Sequence, residues 1–416
     1  MTFLHKSSRI NLKGIQMKNF NKNAILLLIG SALNHIISLF INTFLIAYLL
    51  QINTGNIINI SIFYIIVYAI IGLLYVLISM WLTQKVKIRF FRTGIILKCI
   101  LILLIALLKS NVAEYIVLIA LFLGVSEAFY WTSFNVMQNE LINRHKIQKQ
   151  ISLNAILKNA INIVVPITLG AAIELYSFSS IAIIVCTFSV TQIVLSFFIK
   201  SEYENTGTTN LKSFIQTIKK DKVTLKPYKY LYITSFFYGL KHNLNTLITI
   251  MTIFVFSTTF NLGVLTSVVA VFSIVALFIF LKFYNSKKYK HLVLTLVILS
   301  VLSILTVAIK LSPITLIIFN FVYVVTMCIL ETLFTVQRNN LIKLMSMRSY
   351  ITQNQSVVEL FVNFGRVCAY GLMLIFSMIF GVSSYSILLY ISVFAVLLYG
   401  YFVYKTEKEV ASIKTE

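Results

Sequence analysis

Apolar residues run in long stretches broken by short polar or basic segments, and the stretches are too long for strands. Twelve can be traced. The first six are Ala24–Leu50, Ile57–Leu82, Thr93–Leu108, Val112–Met137, Ile151–Leu175 and Ser179–Ile199. The last six are Tyr228–Phe256, Leu262–Leu281, His291–Ile309, Pro313–Val336, Val357–Phe380 and Tyr385–Tyr404. A helix needs about 20 largely apolar residues to cross a bilayer. The pattern therefore predicts an all-α polytopic membrane protein with twelve transmembrane helices. The longest interruption, residues 200–227, falls after the sixth span and divides the chain six plus six.

That division gives five regions. They are a basic tail (1–23), a six-helix bundle (24–199), a linker (200–227), a second six-helix bundle (228–404) and a C-terminal tail (405–416). In the linker, Leu211, Phe214, Ile215 and Ile218 recur at helical spacing among Lys212, Lys219, Lys220 and Lys222. This predicts a short amphipathic helix on the cytoplasmic membrane surface. The halves also repeat each other. With an offset of 200 residues, eight of 24 positions are identical. They are Thr132/Thr332, Phe134/Phe334, Val136/Val336, Asn139/Asn339, Leu141/Leu341, Ile142/Ile342, Ile151/Ile351 and Asn154/Asn354. Asn53-Thr54-Gly55 and Asn261-Leu262-Gly263 add a further echo near the start of each half. Two parallel six-span repeats are one known transporter architecture.

Composition agrees with the pattern. Of 416 residues, 59% are apolar and 11% charged, against roughly 45–50% and about 25% in soluble domains. The net charge of +23 would suggest nucleic acid in a soluble protein. Here the positions of the cations remove that reading. If the N-terminus is cytoplasmic, 29 of the 35 Lys and Arg fall on the cytoplasmic side. Only Lys109 and Lys310 fall opposite, and Lys98, Lys158, Lys241 and Arg366 lie inside spans. Positive charge of this asymmetry places both tails inside. No cleavable signal peptide is expected, Met17 offers an alternative start, and the setting is a cell membrane, with the composition suggesting a bacterium. Cys99, Cys186, Cys328 and Cys368 all fall in apolar stretches without metal-ligand spacing.

With these features the chain resembles the major facilitator superfamily across nearly its whole length. The family's loop pattern after span two, Gly-x-Leu-x-Asp-Arg with further basic residues, falls on Met80–Arg89. Leu82, Lys85 and Arg89 fit it, whereas Met80 and Gln84 stand where the family has Gly and Asp. In span five, Val165-Pro166-Ile167-Thr168-Leu169-Gly170 partly matches the pattern of the family's exporters. Glu127-Ala128-Phe129-Tyr130-Trp131 looks like span four of poorly characterised Gram-positive members. The resemblance implies two pseudo-symmetric bundles, with spans one, four, seven and ten around a central cavity.

An ionisable side chain at mid-membrane costs roughly 2.5–3.5 kcal/mol on insertion scales, so it marks a cavity or a partner. Glu127, Glu331 and His35 are the proton-coupling candidates. Asn34, Ser38, Asn42, Tyr130, Trp131, Tyr238, Lys241, His242, Asn245 and Tyr323 are candidates for the solute cavity. Lys158, Glu359, Arg366, Lys85 and Arg89 are gating or ion-pair candidates, with Glu359 and Arg366 two turns apart on one face. Lys241 is the expected counter-charge of Glu127, and Lys98 is expected to snorkel to the interface.

The expected activity is secondary active transport of a small amphipathic solute by alternating access, with proton-coupled export preferred. Nutrient or peptide uptake, a lipid flippase and a transport-inactive scaffold or sensor are the alternatives. The expected partners are the solute, a proton or other coupling ion, and lipid. No nucleic acid or cofactor is expected, and the chain is expected to act as a monomer. No HExxH, nucleophile–base set or phosphate loop is present, which argues against an enzyme or an ATP-driven motor.

Overall fold

The computed structural model describes residues 22–52, 57–81, 84–141, 147–199, 211–220, 222–283, 288–344 and 350–413. Eleven helices among them are long and apolar enough to cross a membrane. The twelfth crossing is made by two shorter helices, Lys222–Leu240 and Asn243–Phe256, separated by Lys241 and His242. The result is a helical bundle of twelve crossings, six in each half. Helices suit this setting because each spanning segment satisfies its own backbone polar groups where no water is present.

The first span of each half departs from a regular helix. Span one runs as Lys22–Leu39, then a π-helical stretch Phe40–Leu45, then Ile46–Ile52. Span seven, expected to be continuous over Tyr228–Phe256, is broken instead. Its second piece has 14 residues, about 21 Å at 1.5 Å per residue, too short to cross a core of about 30 Å alone. Around the break the bonding tightens by one residue. The His242 amide donates to Gly239, Leu244 to Lys241 and Asn245 to His242.

Beside the break, span seven packs closely on span eleven (Ile351–Phe380). A Cβ on Gly239 would meet the Val362 carbonyl, and one on Gly365 would meet the Phe236 carbonyl. Two backbones this close need small residues at the crossing. A second such crossing joins the halves. Gly170 of span five (Ile147–Leu175) lies against the Thr259 backbone of span eight (Thr259–Phe283), and Gly263 lies against the Pro166 carbonyl. There Glu174 accepts from the Phe260 amide at 3.0 Å, and Thr259 Oγ1 donates to the Gly170 carbonyl at 3.2 Å. A carboxylate at a helix start also suits the positive end of the helix dipole.

Several ends differ from the sequence-based expectation. Span three begins at Gln84 rather than Thr93, so the basic segment is already helical. Span twelve runs Ser384–Ile413, into the expected tail. The linker does contain a helix, Leu211–Lys220, but its apolar face does not simply rest on lipid. Phe214 and Ile218 are buried, and the Phe214 ring lies 6.2 Å from Tyr228 and 5.6 Å from Tyr350. Ser213 and Thr217 of the same helix bond the Tyr350 phenol and hold it below its ordinary pKa. Only Ile215 of the expected stripe is exposed. Between spans three and six (Phe178–Phe197) the thiols of Cys99 and Cys186 meet at 3.6 Å.

Candidate functional site

The ionisable residues inside the spans fall into two pairs and several singletons. In the N-terminal half, Lys98 Nζ donates to Glu127 Oε1 at 2.8 Å and to Asn34 Oδ1 at 2.7 Å. Three helices meet in this triad: span one, span three (Gln84–Leu108) and span four (Ile116–Leu141). The Lys98 side chain is 1% exposed and that of Glu127 10%. Lys98 therefore does not snorkel. Its ammonium finds a carboxylate closer than the interface, which removes the reason to reach for water. The Nζ also lies 5.1 Å from the Tyr130 ring centre. Tyr130 is fully buried and packs with Phe91 and Phe134. It and Asn34 are both buried in this half.

The C-terminal half carries the second pair. Lys241 Nζ donates to Glu331 Oε1 at 2.6 Å, joining the break in span seven to span ten (Pro313–Leu344). Lys241 is thus the counter-charge of Glu331 and not of Glu127. Its ammonium also faces the rings of Tyr238 at 4.8 Å and Tyr399 at 5.3 Å. Exposure separates the two pairs: the Glu331 side chain is 38% exposed. Tyr323, expected at the cavity, is buried against Phe319.

A third cluster lies where the halves touch. Tyr64 and Tyr68 of span two (Ile57–Trp81) face Tyr370 of span eleven at 4.6 and 5.7 Å. His242 meets the edge of Tyr68 at 5.3 Å, and Tyr370 Oη lies 3.4 Å from His242 Nδ1. Thr246 and Tyr370 share a hydrogen bond of 2.6 Å. The Arg366 guanidinium stacks 4.7 Å above Tyr68. Arg366 and Glu359 do not pair. Arg366 Nη1 donates to Asn363 Oδ1 at 3.2 Å, and Glu359 accepts from the Gln355 amide at 3.1 Å.

The remaining candidates are dispersed. His35 Nε2 shares a hydrogen bond of 2.7 Å with Asn162 Oδ1, tying span one to span five. Lys158 lies 5.3 Å from the ring centre of Trp131. Ser38 is half-buried, and Asn42 and Asn245 are exposed. Arg89 is exposed, and the Lys85 side chain lies outside the described residues. Lys98 and the Tyr64–Tyr68 pair were absent from the sequence-based candidates. The only signal for Lys98 was its central place in an apolar run. Tyrosines in an apolar span give no signal of their own.

A family model described as Major Facilitator Superfamily matches residues 27–337. A crystal structure of a point mutant of the nucleoside transporter NupG superposes with a TM-score of 0.63 at 12% identity. The match covers 92% of this chain and 99% of that one. At this identity the likeness is one of fold. No curated protein matches the chain in sequence.

Proposed function

The chain belongs to the major facilitator superfamily, and on that footing we propose that it exports a small amphipathic solute against proton entry. The observation that carries the coupling is the break in span seven. It holds Lys241 against Glu331, a carboxylate buried on one side and accessible on the other. A coupling carboxylate must exchange protons with water and must also feel the conformation. Glu331 suits both, being part-exposed and paired across two spans in the conformation described. Parting of spans seven and ten would remove that partner, and its return would restore the pair.

Glu127 fits a different role. It is held in a nearly dry triad whose members all belong to one half. Rocking of one half against the other leaves that triad intact, so its charge does not follow the transport cycle. The moving contacts are those between halves: Tyr64 and Tyr68 against Tyr370, His242 and Arg366, and Glu174 against Phe260. In the conformation described here Ile46–Ile52 packs on Asn243–Phe256. These are the ends of spans one and seven away from the termini. Pro166 and Gly170, the residues of the exporter-like pattern, lie in the crossing of spans five and eight.

Reconstitution into proteoliposomes tests the proposal. A pH gradient should drive flux in the wild type. Glu331→Gln should abolish its pH dependence, and Glu127→Gln should leave that dependence in whatever protein folds. Wild-type pH dependence in Glu331→Gln would remove Glu331 as the coupling group.

A further inference from the structure

Four basic side chains lie inside the spans; two of them form ion pairs, and Lys158 faces the Trp131 ring. Lys98 has Glu127 and Lys241 has Glu331. Among the described residues Arg366 has no carboxylate within 4.0 Å. Its one hydrogen bond is to Asn363 Oδ1. Asn363 is itself oriented by its amide, which donates to the Glu359 carbonyl at 2.8 Å. The other contact of the guanidinium is the Tyr68 ring face, which offers charge attraction but no lone pair for an N–H in the ring plane. Nε is buried and has no partner. A guanidinium carries five N–H donors in a planar fork that matches carboxylate and phosphate. Here most of that fork is unused, on a residue that is only half-buried.

A guanidinium at mid-membrane without a direct ion pair is costly, and its unfilled donors leave room for an anion that the chain does not itself bring into contact. Glu359, two turns away on the same helix, acts on the guanidinium only at a distance and makes no ion pair with it, its carboxylate being engaged by Gln355. We propose that Arg366 is the docking point for an anionic group, carboxylate or phosphate, on the transported solute. This rests on the transport reading above and narrows it from an amphipathic solute to an organic anion. The placement also gives such a solute a grip on the conformational change. Arg366 belongs to the second half, but its ring contact, Tyr68, belongs to the first. An anion that draws the guanidinium off Tyr68 alters a contact between the halves.

Binding to the purified full chain tests this without any flux. The probes are benzoate and phenyl phosphate, with benzyl alcohol and benzylamine as neutral and cationic counterparts, each titrated at millimolar concentrations against thermal unfolding. The anions should stabilise the wild type and the counterparts should not. Arg366→Gln should weaken anion binding roughly ten- to hundredfold, the usual worth of a hydrogen bond to a charged group. Arg366→Lys keeps the charge without the fork and should fall between, which separates loss of a site from loss of fold. Equal binding of all four probes, no binding of either anion, or unchanged anion binding in Arg366→Gln would each overturn the proposal. So would an Arg366-dependent shift seen only with phosphatidylglycerol, which would make the occupant a lipid headgroup. A chain that binds anions through Arg366 but moves no solute would retain this site and lose the transport reading. A chain that moves a neutral solute independently of Arg366 would do the reverse.

Discussion

The two buried lysine–glutamate pairs look alike in chemistry and differ in setting. Lys98–Glu127 joins neighbouring spans of one half, adds Asn34 as a third member and is almost closed to water. Lys241–Glu331 joins a broken helix to a continuous one and leaves its carboxylate 38% exposed. The first arrangement is closed within one half, whereas the second sits at a helix break with its carboxylate part-exposed. On the proposal above, the first holds its bundle together and the second couples.

The largest effect that would break this comparison is on stability. Lys98→Met leaves Glu127 without its partner, and removal of one partner of a buried pair costs about 3–5 kcal/mol. The melting temperature of purified Lys98→Met should fall sharply. The double variant Lys98→Met/Glu127→Leu should recover most of it, and it should keep pH-dependent flux. If the double variant folds but loses that dependence, the N-terminal pair is not merely structural.

The next effect sharpens the contrast between the first spans of the halves. Gly239→Ala pushes a methyl group into the Val362 backbone, a steric insertion of about 1–3 kcal/mol. Gly30 in span one has nothing within 4 Å of the same methyl position, so Gly30→Ala should leave the unfolding midpoint unchanged or slightly raised. Equal losses at both would mean that the close crossing of spans seven and eleven is not what fixes the break. Third comes coupling itself. Glu331→Gln should lower pH-driven flux at least about tenfold, the equivalent of 1.4 kcal/mol, with a smaller loss of melting temperature than Lys98→Met. The smallest effect is expected at Lys158. Among the described residues its close contact is the cation–π one with Trp131, and Lys158→Met should cost about 0.5–1 kcal/mol and leave pH dependence in place.

How much of this was legible in the sequence follows from the range of each interaction. The membrane class and the twelve-crossing fold could be read because apolar runs and loop charges are local properties. That Glu127, Lys241 and Glu331 need partners was equally legible, since the cost of a charge in lipid does not depend on the fold. Which partner each finds was not. Lys241 and Glu127 both stand on spans expected at the cavity, and pairing them was reasonable on that ground. Lys98 sits on span three, outside the four expected at the cavity, yet it meets Glu127. The broken span left traces in Gly239 and the polar run Lys241-His242-Asn243, but a polar stripe on a straight helix reads the same way. The break lies beside a close crossing with span eleven, more than a hundred residues later. The linker helix shows the same limit. Its amphipathic pattern was correct, but amphipathicity alone does not distinguish lipid from Tyr228 and Tyr350 as the apolar partner.

Sequence separation gives the two pairs different histories during synthesis. Glu127 follows Lys98 by 29 residues, whereas Glu331 follows Lys241 by 90. At roughly 5–20 residues per second, the first partner emerges after about 1.5–6 s and the second after about 5–18 s. For that longer interval the nascent second half holds an ammonium at a helix break with its carboxylate still untranslated. The N-terminal bundle can close on itself span by span. The C-terminal bundle must wait for span ten, so late arrest of translation would strand Lys241 in the membrane with its charge exposed to surveillance.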